Sequence, residues 1–501
     1  MRFLVVALLA FSATLSACAA DWWDDAWKVR HRIDINAELI SANLADFPLA
    51  IRIPRSSGNF SVAKPDGADA RVVDRDGKVL DHEIVAWSDD GIELYVRVPE
   101  IKAGVPGQRL YLYYGNPDAT ALPAADVWDD SYRAVLHLDK DLQDASGNNT
   151  SVTPQGSVQL EPGGANFSTE PGYLAIDKAA LQGLGEQIVI TVRFRALETP
   201  GLQTLASGKK SEGPDEWFNF GLKTPSIVHT NATSGGKQAP ELNASGIALG
   251  EWHTAVIRYD ARTNSRTLCI DGMLFEKDSS LPGPLNIDEL RIGRGLLHFE
   301  PWQFHGTIDE VRFAVGPRSD SWLKAEAGSL ATVQAFAPVN VAHAFGEPAP
   351  PPAPFALIAP AAEIEWRKRG PVRLRWSPSA GADSYSVHFT WCVDRSYIVG
   401  TKATTSTELM LHPGLTPVNE ENTNTFYLDL VGSNGLLRDR TVSWTVFAES
   451  ASGKTKATED RLLFFYDWDP AEVLAQPSTP KARPVMETTN VEYNLYGYLR
   501  G

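Results

Sequence analysis

The sequence predicts an all-β protein built as tandem β-sandwiches, and three observations carry that reading. Short runs alternate apolar and polar residues, the period of two of a half-buried strand. Turn dipeptides such as Asp76-Gly77, Asp90-Gly91 and Asp271-Gly272 separate them. Helical periodicity is confined to a short stretch near residue 320. A chain of 501 residues is too long for one core and implies about three or four domains. Hydrophobic content of 43% and charged content of 22% are those of an ordinary soluble globular protein. The formal charge of −16, with no basic cluster, argues against nucleic acid and anionic lipid as partners.

Residues 1–20 read as an address. Arg2 gives a positive start and residues 3–11 an apolar core, too short for a permanent membrane span. Leu15-Ser16-Ala17-Cys18 resembles the lipobox of bacterial lipoproteins. That resemblance implies an acylated Cys18 and membrane contact only through the lipid. Ala19 after it favours the outer membrane, on its surface or its periplasmic face. The rival is cleavage near Ala20 and plain secretion. The other cysteines, Cys269 and Cys392, lie in apolar-patterned strands and read as buried free thiols.

Residues 21–118 form a first unit. It opens with Trp22-Trp23 and Trp27, and strands are expected at 29–35, 47–53, 71–74, 83–87, 92–98 and 109–114. The wording DFPLAIRIP, DGADARVVDRDGKVLDHEI, ELYVRVPEI and LYLYYGNP resembles a bacterial module of unknown function. That module usually precedes a laminin-G-like domain. It occurs in surface proteins and beside TolQ/ExbB-type proton channels.

Residues 127–334 form the second unit. Strands are expected at 134–138, 172–176, 188–194, 217–222, 252–259, 266–270, 289–292 and 307–313, and a short capped helix at 319–330. A Trp252-His253 strand, a strand ending in Asp271-Gly272, then IDELRIGR and FHGTIDEVRF resemble the laminin-G-like domain, a concanavalin-A-like jelly roll. Such domains mostly bind glycans or proteins. Residues 347–354, EPAPPPAP, read as a stiff linker. Residues 355–467, with VRLRWSPSAGADSYSVHF and TVSWTVFAES, resemble a fibronectin-type-III or immunoglobulin-like sandwich with Trp376 and Tyr385 as core aromatics. Residues 468–501 read as a tail. Its Tyr493, Tyr496 and Tyr498 suit either a partner's sheet edge or an edge strand on the third unit.

Chemistry is sparsely signalled. No GxSxG, HExxH, P-loop or GxGxxG occurs. Glycoside hydrolysis needs two carboxyls flanking the bond. The nearest pairs, Asp288-Glu289 and Asp309-Glu310, are strand neighbours expected to face opposite sides. HLDKDLQDASGNN resembles the loop where jelly rolls often place a metal-binding Asp, which implies calcium held by Asp144, Asn148 and Asp309. The plain alternative is a turn whose Asp bonds its own backbone. Trp217, Phe218, His298, Phe299, Trp302 and Phe304 suggest either a sugar-stacking cluster or core packing. His137, within a strand, reads as a satisfied core histidine. The expected function is non-catalytic binding of a glycan or an envelope protein. An accessory role in a TolQ/ExbB-type complex and, behind it, polysaccharide hydrolysis are the alternatives.

Overall fold

A computed structural model describes residues 22–465, apart from 89–90, 124–125, 169–170, 198–200, 213–214, 225–226, 297–301, 362, 367–370, 394–395, 414–424 and 429–439. The chain is all-β, as its periodicity predicts. No helix among the described residues is long and apolar enough to cross a membrane. Cys18 and residues 468–501 lie outside the described residues.

Two antiparallel sheets face each other in the first unit. One orders His343–Ala344, Val29–Asp34, Arg109–Tyr114 and Arg71–Asp74; the other orders Leu44–Pro54, Gly91–Ile101 and His82–Ser88. Alternation does the sorting. Phe47, Leu49, Ile51 and Ile53 point in and meet Leu94, Val96, Leu110 and Leu112. The unit is not continuous in sequence. The chain leaves at residue 118, builds the second unit, and returns. Asp34 N donates to Pro338 O at 2.9 Å, and Asn340 N donates to Arg32 O at 2.9 Å. Phe336 and Ala337 finish the first core.

Two eight-stranded sheets sandwich the main core of the second unit. The docked sheet runs Leu274–Asp278, Ser265–Ile270, His253–Asp260, Gln187–Ala196, Gly306–Val315, Gly164–Asn166 and Gln159–Glu161; Tyr132–Leu136 also pairs with Gly306–Val315. The open sheet runs Lys237–Gln238, Ile227–Ser234, Trp217–Thr224, Gln203–Lys209, Glu289–Ile292, Gly172–Ile176 and Val152–Gly156; Leu242–Ser245 also pairs with Ile227–Ser234. The residues that carried the jelly-roll resemblance make one stapled hairpin. His253 Nδ1 lies 2.7 Å from Asp271 Oδ2, and Thr254 N donates to Asp271 Oδ1 at 2.7 Å. Asp271 and Gly272 have φ of 53° and 70°, the left-handed values of a tight hairpin turn. A Cβ on Gly272 would sit 2.7 Å from Lys324 O, so glycine lets the hairpin tip touch the helix.

That helix, Asp320–Ala331, is capped by Ser319, whose Oγ accepts from Trp322 N at 3.1 Å. Its place differs from expectation. It does not serve the second unit alone; it is a wedge. Trp322 and Ala325 enter the first unit's core. Leu323, Ala327 and Leu330 join a separate core with Ala50 and Tyr95 of the first unit and Val189, Val256, Cys269 and Ala314 from the back of the docked sheet. Cys269 is a buried free thiol, pushed by burial up to about 12. The side chain of Cys392 lies outside the described residues.

Trp376, Tyr385, Trp444 and Leu374 centre the third unit's core. The proline-rich segment lies along the third unit. Ala353 N donates to Ala380 O at 2.8 Å, Ser452 Oγ donates to Pro350 O at 2.7 Å, and Pro352 is buried. The third unit also grips the first. Arg32 donates to Gly381 O and Ala382 O and pairs with Asp383, while Gly381 N donates to Asp34 Oδ2 at 2.8 Å.

Candidate functional site

The docked sheet has its back covered by the helix and the first unit. The open sheet has its back turned away from both. Phe218, Phe220 and Leu222 point into the sandwich, so Trp217, Asn219 and Gly221 point out. On the next strand Val228 and Ala232 point in, so His229, Asn231 and Thr233 point out. Register aligns these into rows. Arg291, Ser207, Asn219 and Asn231 form one row; Glu289, Lys209, Trp217 and Thr233 form the next. Gly221 cannot be replaced easily, because its Cβ would lie 1.9 Å from Gln203 O at the bulge between Thr204 and Ala206.

Small polar groups line this face. Thr204 Oγ1 donates to Asn219 Oδ1 at 2.8 Å, and Ser207 Oγ donates to Phe218 O at 3.1 Å. Leu296 N approaches Ser207 Oγ at 3.3 Å. Asn219 Nδ2 and Asn231 Oδ1 are both buried and have no partner, although their residues are directly opposed across paired strands. An unmade hydrogen bond on a buried amide costs about 1–3 kcal/mol, and Thr204, Ser207, Asn219 and His229 are at most 1% exposed, so this face is covered and carries two adjacent orphans of opposite type. One hydroxyl both accepts and donates, and would satisfy the pair. His229 is fully buried, with Nδ1 3.2 Å from Glu241 Oε1; burial lowers its pKa against the pull of Glu241. At the rim Trp217 is half-buried, and the Arg291 guanidinium lies 4.3 Å over the Tyr173 ring.

The predicted aromatic cluster divides. Phe218 and Phe304 are fully buried core. Trp217 stands on the open face. Trp302 does not join it: its carbonyl accepts from Thr204 N, while Trp217 pairs with Lys209, five residues along the same strand and so about 16 Å away. His298 and Phe299 lie outside the described residues. Sequence reasoning missed Ser207, Asn219, His229 and Asn231. For Asn219, His229 and Asn231 the signal was present in FNF and VHTNAT, where polar residues hold alternate places; Ser207 lies in neither run.

The proposed calcium ligands are also apart. Asp144 Oδ1 accepts from Val135 N and Ser146 N, each at 2.9 Å; Oδ2 accepts from Ser146 Oγ and Thr150 N, each at 2.8 Å. These contacts fill the lone-pair positions of a carboxylate. Asn148 Nδ2 donates to Tyr132 O at 2.6 Å. Asp309 is elsewhere, ion-paired with Arg193 and with Arg52 of the first unit. Val135 is opposite Arg312, three residues from Asp309, or about 10 Å along the strand. The described residues hold no group of three or more His, Cys, Asp or Glu arranged for a metal.

One expectation is corrected outright. Asp309 and Glu310 do not face opposite sides. Arg193 pairs with Glu310 and Phe194 with Ile308, so Asp309 is the extra residue of a β-bulge and both carboxylates reach the back of the docked sheet. There Glu310 Oε2 meets His137 Nδ1 at 2.7 Å and its Oε1 accepts from Arg312 Nε at 2.8 Å; His137 Nε2 lies 3.5 Å from Glu83 of the first unit. His137 is thus a junction between units, stacked on Tyr95 at 5.0 Å between centroids. Burial pushes Asp309 up to about 6 against the pull of Arg193 and Arg52. The pair is roofed by the first unit and holds the interface together.

Residues 66–131 match the family model of a domain of unknown function, DUF2341. No curated protein matches the chain. Among solved structures the chain is similar to the CBM40 of a Ruminococcus gnavus IT-sialidase bound to alpha2,3 sialyllactose, at 18% identity over 28% of this chain and 83% of that one, with a TM-score of 0.26. It is similar to domain 4 of an extracellular arabinanase from Geobacillus stearothermophilus in complex with arabinotriose, at 16% identity over 39% of this chain and 98% of that one, TM-score 0.31. It is also similar to the binding domain of botulinum neurotoxin DC in complex with SialylT, at 11% identity over 65% and 73%, TM-score 0.33.

Proposed function

We propose that the protein is a non-catalytic binding protein of the cell envelope that takes a glycan on the outer face of the open sheet. The observation that carries this is the opposed pair of orphaned amide atoms, Asn219 Nδ2 and Asn231 Oδ1, set in a row of polar side chains with Trp217 beside it. Sugar hydroxyls supply donor and acceptor from one atom, and a half-buried ring offers an apolar face for the pyranose. A glycan array probed with the full chain tests it. The native protein should retain a defined glycan class. Asn231→Ala should weaken that binding about tenfold or more while leaving the melting temperature unchanged or higher, because it removes an unpaired buried acceptor. An array with no retained glycan, or equal binding by the variant, ends the reading.

The envelope setting rests on Leu15 to Cys18. Cys18→Ser should release the chain from detergent-phase partitioning; identical partitioning of variant and native protein would remove the lipid anchor from the account. An accessory role in a TolQ/ExbB-type complex rests on the first unit's resemblance alone, and channel genes beside this one would favour it.

A further inference from the structure

We propose a second binding site, for an acidic monosaccharide unit, in the cleft beside the start of the helix Asp320–Ala331. It lies on the back of the docked sheet, away from the open face. The cleft measures about 400 Å³, and its lining includes Arg258, Arg262, Lys277 and Arg318 against the carboxylates of Asp260 and Asp320. Two positive charges are in excess there, in a chain whose formal charge is −16. Even with Asp129, which holds Arg318 from outside the lining, the balance stays positive.

The two inner arginines are fixed in advance. Arg258, its side chain 6% exposed, donates to Thr267 Oγ1, Asp320 Oδ1 and Arg318 O. Arg318, 9% exposed, donates to both oxygens of Asp129 at 2.8 Å and lies 4.0 Å over the Trp322 ring. The Nε of each is buried without a partner. Guanidinium groups immobilised by the fold lose little entropy on meeting an anion. Arg262 and Lys277 are the outer arms, with side chains 67% and 47% exposed. Neither carboxylate is idle. Asp260 accepts from Gln187 Nε2 and the backbone of Arg262 and Thr263 and pairs loosely with the Arg262 guanidinium at 3.5 Å, and Asp320 is shared by Arg258 and Lys277. The helix start adds its partial positive charge. A carboxylate or sulfate group fits this electrostatics. The volume suits a sugar-sized ligand better than a bare ion; Gln187, held by Asp260 and the Arg318 amide, stiffens the floor of the cleft.

Calorimetric titration of the full chain at constant ionic strength, set with chloride, tests the site. Sodium glucuronate should bind, glucose should not, and sodium sulfate should bind more weakly than glucuronate. An Arg262→Ala, Lys277→Ala double variant should lose about tenfold or more in glucuronate affinity, since a charge-assisted contact is removed at each arm. Its ligand-free melting temperature should match the native value, both side chains being exposed. Asn231→Ala should leave glucuronate binding untouched, which separates failure of this site from failure of the open-sheet reading. Silence toward both anions, or unchanged affinity in the double variant, overturns the proposal; sulfate binding with glucuronate silent overturns the sugar assignment.

Discussion

Glu310 shows how one residue is read from its surroundings. It is buried between His137 and Arg312, and Arg312 reaches on to Glu326 at 3.3 Å. Burial would raise the Glu310 carboxyl, but His137 and Arg312 pull it down to about 2. Burial would lower His137, but Glu310 and Glu83 lift it to about 10. For an acid with a depressed folded pKa, the stability gained is complete above the unfolded value of 4.5 and is lost as pH falls through about 2. For the raised histidine it is complete below 6.5 and lost as pH rises through about 10. Glu310→Gln leaves two buried cations short of a partner, so urea unfolding at pH 7 should show a loss of about 3–5 kcal/mol. The gap between native and variant should shrink from pH 5 to pH 3, by about 1 kcal/mol per unit once below 4.5. A gap constant over that range would show that the Glu310 carboxyl titrates alike in the folded and unfolded protein, so that His137 and Arg312 do not hold it down. His137 and Glu310 were legible as letters, and their partnership was not. The bulge at Asp309 breaks the two-residue period from which facing is read, and no single-residue signal marks it.

Elements were more legible than their surroundings. The pattern at 252–259 and 266–270 becomes the strands His253–Asp260 and Ser265–Ile270, and the Asp271-Gly272 turn is where the dipeptide puts it. Local alternation and turn chemistry are enough for that. The proline segment was legible only in part, because composition reports stiffness and says nothing of the surface that a stiff segment lies on. The turn after Tyr132–Leu136 shows the same limit. An Asp-rich loop looks alike whether it holds an ion or its own backbone. Here Asp144 gathers three amide donors and a hydroxyl, so Asp144→Ala should cost about 1–2 kcal/mol in the full chain. The loss should be the same with calcium or with chelator. A native melting temperature that falls on chelation, with the response gone in Asp144→Ala, would show that a cation displaces those donors and would restore the calcium site.

At the scale of the molecule, the first and second units share two cores through the helix Asp320–Ala331. Chain order suggests beads on a string, because a sequence pattern shows where strands are and not which sheets share a core. The return segment illustrates it: a two-residue strand, His343–Ala344, pairs with Val29–Asp34, and Phe336 enters a core begun some three hundred residues earlier. Excising residues 127–334 would strip Ala50 and Tyr95 from the shared core. It would expose Val256, Cys269, Ala314 and the first-unit face of the helix, Trp322 and Ala325. It would also leave Asp309 without Arg52 and His137 without Glu83. Uncovering that much apolar surface at about 25 cal/mol per Å², beside buried charges short of partners, exceeds what a marginally stable domain can lose. Residues 127–334 alone should therefore be aggregated or molten, with bound hydrophobic dye and broad thermal unfolding. Residues 22–345 should unfold in a single cooperative transition, its calorimetric and van't Hoff enthalpies agreeing. A soluble 127–334 fragment melting sharply at the temperature of the longer piece would show that the wedge helix joins two independent domains.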